Sequence, residues 1–329
     1  MRSKSFLLLH IALLPLYITL AFYLDLIPQP IVLNLSGLLR LSKANLLKHR
    51  IFAAPLSLYS ASISNEAANM SSLKYIPRRS EERGNADHGW LKTFHTFSFA
   101  MYQDYNHEQY GPLRVINEDR VAPRTGFGTH SHREFEIFSY VVAGELEHKD
   151  SMGNTEILKR GALQLTSAGT GISHSEKAHG SSQVHFLQIW SVPSTPRLQP
   201  KYYTRQFTDA QKTNNWVRVV APIDAKGVSD ARDAEGPAPV HSALTLYATL
   251  LEKGKKLEQP LSGKKGYVHV VQTSGFNPGN AKGATIRVGG ELELKEGDGA
   301  YVAVGSGGAT FVLENMGEQI AEVLLFDLE

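Results

Sequence analysis

The sequence predicts an all-β protein of two domains behind a hydrophobic N-terminal extension. Its 329 residues exceed one average domain. Beyond the extension, short runs rich in β-branched and aromatic residues recur between turn signals, which is typical of strands. The 28 glycines suit the many tight turns of a barrel or a sandwich. Together these observations favour two β-barrels or sandwiches in series.

The first 70 residues differ from all that follow. Arg2 and Lys4 precede an apolar run at 6–24, which is long enough to span a bilayer as a helix. The basic flank favours a signal anchor or signal peptide, and the rest of 1–70 is expected to be disordered. Met70 offers a second start of translation. Two interpretations stay open: a targeting segment with a membrane or secretory location, or an upstream extension of a cytoplasmic or nuclear protein.

Two short motifs in the middle of the chain carry metal-ligand chemistry. Gly-Thr-His-Ser-His-Arg contains His130 and His132, and Gly-Thr-Gly-Ile-Ser-His-Ser-Glu contains His174 and Glu176. Residues i and i+2 of a strand point to one face, so each pair is expected to project into one space. Three imidazoles and a carboxylate can hold a divalent transition metal and leave positions open for other ligands. If the motifs meet in space, they form a metal site.

The residues between the motifs are compatible with such a meeting. The run 135–142 is rich in β-branched and aromatic residues and ends at Ala143-Gly144, a turn signal. Gly169 and Gly171 allow a close approach of the backbone near the second motif. Further turn signals leave room for barrel strands to bring the second pair opposite the first. A single His-x-His among 13 histidines is weak evidence by itself, and the downstream His-x-Glu strengthens it.

The sequence around the two motifs resembles that of the pirin family, a branch of the cupin superfamily of β-barrels. The resemblance extends over about residues 76–329. Its most specific segments are 76–84, 87–99, 113–121, 144–153 and 187–190. It implies a bicupin, that is, two antiparallel jelly-roll barrels. The implied division is an N-terminal metal-binding cupin domain at 71–200 and a C-terminal cupin domain without metal at 201–329.

The resemblance also implies that the three histidines and the glutamate of the two motifs are the metal ligands. These are His130, His132, His174 and Glu176. Ser131 is a departure, because the family usually has proline between the two histidines. A serine there loosens the local backbone but removes no ligand. Fe(II) is the expected metal, and Mn, Ni, Cu or Zn also suit this ligand set.

Several nearby residues have competing interpretations. Glu136 lies an even number of residues after His132, and other cupins use a glutamate there as a ligand; the pirin pattern makes it a supporting or structural residue instead. His185 stands in an apolar strand and is expected to be a satisfied core histidine. His179 is expected in a loop, and His148 also lies nearby in sequence.

The second half contains strand-like runs and a long loop. The runs are at 217–220, 241–250, 266–271 and 300–304. The Asp-, Gly- and Pro-rich segment 224–239 is predicted to be an exposed loop. This half has neither His-x-His nor His-x-Glu, which favours a second barrel that buttresses the first.

The resemblance implies a reaction as well as a fold. Pirins of the enzyme-like branch are flavonol 2,3-dioxygenases, which open quercetin with O2 and release carbon monoxide. Glu176 is then the expected general base as well as a ligand. The alternative is a redox-sensitive transcriptional co-regulator that acts through a protein partner, and a third is a metal barrel with an unrelated substrate.

Composition limits the partners. A net charge of +2 argues against an extended nucleic-acid surface. The absence of cysteine excludes a disulfide and a thiolate ligand. The resemblance implies a flavonol or related enol and O2 as partners, and a monomeric state. The run at 6–24 adds a membrane as a partner if it forms a helix.

Overall fold

The computed structural model describes residues 73–306 and 308–329, and most of them lie in β-strands, which confirms the predicted all-β class. The strands of the first part are β1 Leu73–Arg78, β2 Gly84–Asp87, β3 Leu91–His95, β4 Leu113–Val121, β5 Gly126–His132, β6 Glu136–Ala143, β7 Leu146–Asp150, β8 Thr155–Leu158, β9 Ala162–Ser167, β10 Ile172–Ala178, β11 Val184–Ser191 and β12 Lys201–Gln206. Those of the second part are β13 Val217–Pro222, β14 Ala238–Val240, β15 Leu244–Leu251, β16 Lys256–Leu261, β17 Lys265–Val270, β18 Thr285–Val288, β19 Leu292–Lys295, β20 Gly299–Val304, β21 Ala309–Asn315 and β22 Ala321–Leu328.

Helical structure in the described residues is limited to single turns. A 3₁₀ turn covers Ser80–Glu82, and α1 covers Asp209–Lys212. The side chain of Thr208 accepts a hydrogen bond from the backbone N–H of Gln211, which caps the start of α1. These turns connect strands and contribute little to the core.

The strands form four sheets. The first large sheet has the order β12-β9-β6-β11-β4-β3-β2, and the first small sheet has the order β5-β10-β7-β8. The second large sheet has the order β1-β20-β17-β22-β15-β13-β14, and the second small sheet has the order β16-β21-β18-β19. Neighbouring strands are antiparallel except for the parallel pair β13–β14. Each small sheet shares an apolar core with one large sheet, which gives the two barrels that the sequence predicts.

Three apolar clusters hold these layers together. One lies between the first small and first large sheets and includes Val141, Leu146 and Phe186. A second joins the two large sheets to each other, through side chains such as Phe138 and Phe326. The third fills the second barrel. The two barrels therefore pack through the outer faces of their large sheets, and the second cluster is the apolar core between them.

Two strands pair across the predicted domain limit between residues 200 and 201. β1, at the start of the described chain, pairs with β20 of the second large sheet. β12 begins at Lys201 and pairs with β9 of the first large sheet. The proposed domain limits at 71–200 and 201–329 stay a prediction, and these two strands cross them.

The segment 224–239 is an exposed loop only in part. Its last residues enter β14, which is buried and pairs in parallel with β13. Pro239 has no N–H to donate, and β14 tolerates it because this strand lies at the edge of its sheet. The prediction was wrong here because proline and alanine resemble loop residues, whereas their burial depends on the distant sheet.

No helix among residues 73–306 and 308–329 has both the length and the apolar character needed to cross a bilayer. The membrane helix predicted at 6–24, and the rest of the extension to residue 70, lie outside the described residues.

Candidate metal centre

Three of the four predicted ligands meet at the junction of β5 and β10. His130 and His132 come from β5, and His174 comes from β10, where it pairs directly with His130. The ring centroids lie 4.6 Å apart for His130 and His174, and 4.8 Å apart for His132 and His174. One nitrogen from each ring lies within 4.8 Å of the other two. The two histidine motifs therefore converge as the sequence predicts.

A β-bulge in β5 aims His130 at this point. Glu176 pairs with Phe127, whereas His174 pairs with His130, so β5 carries one extra residue between these two pairs. Gly128 lies in the extra length, and its carbonyl oxygen accepts a hydrogen bond of 2.8 Å from Nδ1 of His130. That bond places the ring proton on Nδ1 and leaves a lone pair on Nε2, which is the form a metal binds.

The protonation state of the histidines also favours the binding of a metal cation. Burial, with the neighbouring imidazoles, lowers the pKa of His132 to about 3 and that of His174 to about 3. Both rings are therefore neutral near pH 7, and metal ligation requires neutral imidazoles. The Nε2 atoms of His130 and His174 are 3.2 Å apart. Two nitrogens bound to one ion at about 2.1 Å lie roughly 3 Å apart, so this pair of nitrogens has the spacing of two ligands of one divalent metal.

Glu176 lies beside the three histidines but outside their group. Its carboxylate is buried and accepts two hydrogen bonds, one of 2.8 Å from the Ser139 hydroxyl and one of 2.7 Å from the Gln188 amide. Its negative charge is close enough to His132 to favour the protonated form of that ring. The fourth ligand therefore remains a prediction, with its carboxylate held next to the site by two neutral donors.

His148 and Asp150 are neighbours of the site that sequence reasoning missed. The His148 ring is fully buried, 5.2 Å from the His174 ring, and its Nε2 lies 3.4 Å from a carboxylate oxygen of Asp150. Asp150 pairs with His174 across β7 and β10. The i, i+2 spacing of His148 and Asp150 was the available signal, because it places both side chains on one face of β7.

Aromatic rings form one wall of the site. The Trp190 ring lies 4.9 Å from the His132 ring, at nearly a right angle. Phe99 and Phe135 pack against the same indole, with centroid distances of 5.6 Å and 5.2 Å. Solvent reaches His130 and His132, whereas His174 is buried. The cluster is therefore open to solvent at His130 and His132, with Trp190 beside His132.

Two alternative residues are structural, as expected. Glu136 is fully buried, and its carboxylate accepts hydrogen bonds from the backbone N–H of His241 and the hydroxyl of Ser242. It therefore binds the first large sheet to the second half of the chain. Nε2 of His185 lies 3.0 Å from the Glu118 carboxylate, between the barrels, so this histidine is satisfied. His179 follows the end of β10, outside any strand.

Ser131, the departure from the family pattern, has its own contact. Its hydroxyl lies 2.8 Å from that of Ser173, the residue paired with it on β10. The two strands that carry the histidines are thus linked by a side-chain hydrogen bond beside the cluster.

Comparison with known proteins identifies the relatives of this chain. A family model described as Pirin matches residues 77–191. The quercetin 2,3-dioxygenase of Escherichia coli K12 is 41% identical over 197 residues, which are 59% of this chain and 80% of that protein. The chain belongs to the pirin family. A pirin-like protein of Caulobacter vibrioides is 34% identical over 212 residues, 63% of this chain and 88% of that protein.

Solved pirin structures share the fold. The crystal structure of YhhW from Escherichia coli superposes with a TM-score of 0.66 at 33% identity, over 78% of this chain and 98% of that one. A second structure, of bacterial pirin YhhW in complex with nickel(II), gives 0.65 over 78% and 99% of the two chains. Pirin relatives therefore bind a metal ion, and this pirin has a histidine cluster able to hold one.

Proposed function

We propose that this pirin is a metal-dependent dioxygenase that opens flavonols such as quercetin with O2. The observation that carries the proposal is the cluster of three histidines, two of them held neutral by burial, beside a buried carboxylate and an aromatic wall. The relatives named quercetin 2,3-dioxygenase support it. In this reaction one quercetin and one O2 give the ring-opened ester, which takes both atoms of O2, and one carbon monoxide, which carries C3 with its hydroxyl oxygen.

The ligand set of the proposal is the one that the sequence predicts. It comprises His130, His132, His174 and Glu176. Fe(II) is the expected metal, and Mn, Ni, Cu or Zn also suit such ligands. When bound, the metal would offer positions for the flavonol oxygens and O2 and would lower the pKa of the bound hydroxyl.

The protein side chains supply orientation and proton transfer. Glu176 accepts the proton of the flavonol 3-hydroxyl as general base. Ser139 and Gln188 hold its two oxygens, so the carboxylate is oriented before the substrate arrives. Trp190, with Phe99 and Phe135 packed against it, forms an apolar wall beside His132 that excludes water from that side of the site.

Turnover with a site control tests the proposal. The protein is loaded anaerobically with Fe(II) and then exposed to air, and quercetin loss, O2 uptake and carbon monoxide are measured. We expect one O2 consumed per quercetin, with no turnover in His174→Ala. Iron bound in the wild type without any quercetin loss would contradict the proposal and favour the co-regulator.

A second variant tests the base. Glu176→Gln keeps an oxygen for the metal but cannot accept a proton. We expect it to bind metal, although more weakly, and to lose about 10²–10⁴-fold in turnover. Undiminished turnover would remove Glu176 from the reaction.

A further inference from the structure

The segment Leu187-Gln188-Ile189-Trp190 is part of the pirin resemblance, yet neither the ligand set nor the base explains it. It lies in β11, where alternate side chains face opposite ways. Leu187 and Ile189 enter the apolar cluster between the two large sheets. Gln188 contacts Glu176, and Trp190 contacts His132, so these two face the metal centre.

Gln188 is the middle of a row of polar side chains that crosses the first large sheet. It pairs laterally with Asn117 of β4 on one side and Ser139 of β6 on the other. His95 of β3 continues the row beyond Asn117, and Gln164 of β9 continues it beyond Ser139. All five are buried. We call His95, Asn117, Gln188, Ser139 and Gln164 the polar row.

Most polar groups of this row have partners within the protein. His95 Nδ1 lies 2.8 Å from the Asn117 side-chain oxygen. Ser139 and the amide N–H of Gln188 donate to Glu176. An ionised carboxylate accepts hydrogen bonds only, so Gln188 must turn its NH2 group to Glu176. That leaves Gln188 Oε1 as an acceptor, and no described residue donates to it.

Trp190 presents the complementary group. Its Nε1–H is buried and has no acceptor among the described residues. Trp190 follows Gln188 by two positions on the same face of β11. Buried polar groups are nearly always paired in folded proteins, so an unpaired acceptor and an unpaired donor on one strand face indicate a ligand or ordered water. The pair suits a molecule that carries a hydroxyl donor and an oxygen acceptor on a flat ring.

We propose that Gln188 and Trp190 are a recognition point for ring hydroxyls of a polyphenol, distinct from the hydroxyl that meets the metal. Gln188 Oε1 accepts a hydrogen bond from the ring hydroxyl, and Trp190 Nε1–H donates to a ring oxygen. The other end of the same Gln188 amide holds Glu176. Recognition of a hydroxylated ring is thus linked to the orientation of the general base. The choice of a polyphenol rests on the proposed function.

Equilibrium binding of two flavonols tests this point without requiring turnover. The full chain is loaded with Zn(II), which has no redox chemistry, and is titrated anaerobically with quercetin and with 3-hydroxyflavone. Both carry the 3-hydroxyl and 4-oxo groups, and 3-hydroxyflavone lacks all other hydroxyls. We expect Gln188→Met to weaken quercetin about tenfold more than 3-hydroxyflavone.

Ser139→Ala is the matched control. Ser139 is the other donor to Glu176, and its hydroxyl, unlike Gln188 Oε1, is not among the buried atoms without a partner. We expect this variant to change the binding of both flavonols by similar factors. If Ser139→Ala reduced the preference for quercetin as much as Gln188→Met did, the effect would act through Glu176 alone and the proposal would be overturned.

A more conservative variant distinguishes a loss of recognition from misfolding. Gln188→Asn keeps a polar amide but withdraws it by one methylene, and we expect it also to lose the preference for quercetin. Failure of quercetin to bind the Zn(II) protein, or an unchanged preference in the Gln188 variants, would overturn the inference. The two proposals can fail separately. If the Gln188 variants lose the preference for quercetin but the iron-loaded wild type does not open quercetin, the dioxygenase activity is contradicted and the recognition point is supported.

Discussion

The two barrels of this pirin line their large sheets with opposite kinds of side chain. Across the centre of the first large sheet, the polar row is buried towards the histidines. Across the second large sheet, lateral partners include Ala300, Val268 and Leu325, all of which belong to the apolar cluster of the second barrel. The same architecture therefore carries a buried polar row beside an apolar cluster in one half and an apolar interior in the other.

The difference shows how stability and chemistry are divided. Burying polar groups costs free energy unless each is paired, so the first barrel is the less favourable interior. The second barrel and the core between the large sheets bury side chains such as Phe311 and Phe326 completely. We infer that these two apolar cores supply most of the stability and that the first barrel is specialised for the site.

The largest expected effect is the loss of metal from the first barrel. His174→Ala should lower metal affinity by more than about 100-fold, because ligands matter at least as much as their supporting residues. Metal content by mass spectrometry and folding by circular dichroism check this. His179→Ala, outside the cluster, is the control and should keep its metal. Stoichiometric metal in His174→Ala would refute its role as a ligand.

The second barrel should show the reverse pattern. Phe311→Ala removes a fully buried ring from the apolar cluster and should lower the free energy of unfolding by about 3–5 kcal/mol. Urea denaturation measures this, and metal content should not change. Ile320→Ala, at an exposed side chain, should cost less than about 0.5 kcal/mol. Equal losses in the two variants would contradict the assignment of this core.

A pH-dependent effect should appear at Asp119 inside the first barrel. Burial raises the pKa of Asp119 from 3.8 to about 7, so its contribution is favourable at low pH and is lost as pH rises through about 7. Asparagine does not titrate. In metal-free protein, Asp119→Asn should therefore gain up to roughly 4 kcal/mol relative to wild type between about pH 4 and pH 8.

Chemical denaturation at several pH values gives this comparison. Burial also raises the pKa of Glu136, to about 7, but this residue is present in both proteins and its contribution cancels. Parallel stability curves for the two proteins would show that the Asp119 carboxyl does not titrate abnormally.

The smallest effect should come from the hydroxyl pair that joins the ligand strands. Ser131→Ala removes the hydrogen bond to Ser173 at a solvent-exposed position and should cost about 0.5–1 kcal/mol. Thermal unfolding measures the change, and metal content should stay the same. Loss of metal in this variant would mean that the hydroxyl pair sets the spacing of the histidines.

The sequence predicted the parts of the site that depend on local spacing. His130 with His132, and His174 with Glu176, are i, i+2 pairs, and a strand places such pairs on one face whatever surrounds them. Likewise, the strand at 135–142 ends at Gly144, which adopts the positive φ of 75° that its turn requires.

Features that depend on register between strands were not predictable. Asn117, Ser139 and Gln164 are each an ordinary polar residue in a strand, and only the pairing of four strands aligns them with Gln188. The β-bulge near Gly128 is another property of pairing. A single sequence contains no direct signal for either, because register is set by contacts between distant segments.

The pairing of β1 with β20 has a consequence for biosynthesis. Leu73 pairs with Val304, so β1 can pair with β20 only after more than two hundred further residues have been synthesised. Arg79 and Ser80, just after β1, bind Asp298 as well, which fixes the same long-range closure. Contacts so distant in sequence slow folding. A nascent chain of this pirin can therefore not complete its second large sheet until β20 has left the ribosome. Until then the backbone groups of β1 are unpaired and can form hydrogen bonds with an incorrect strand.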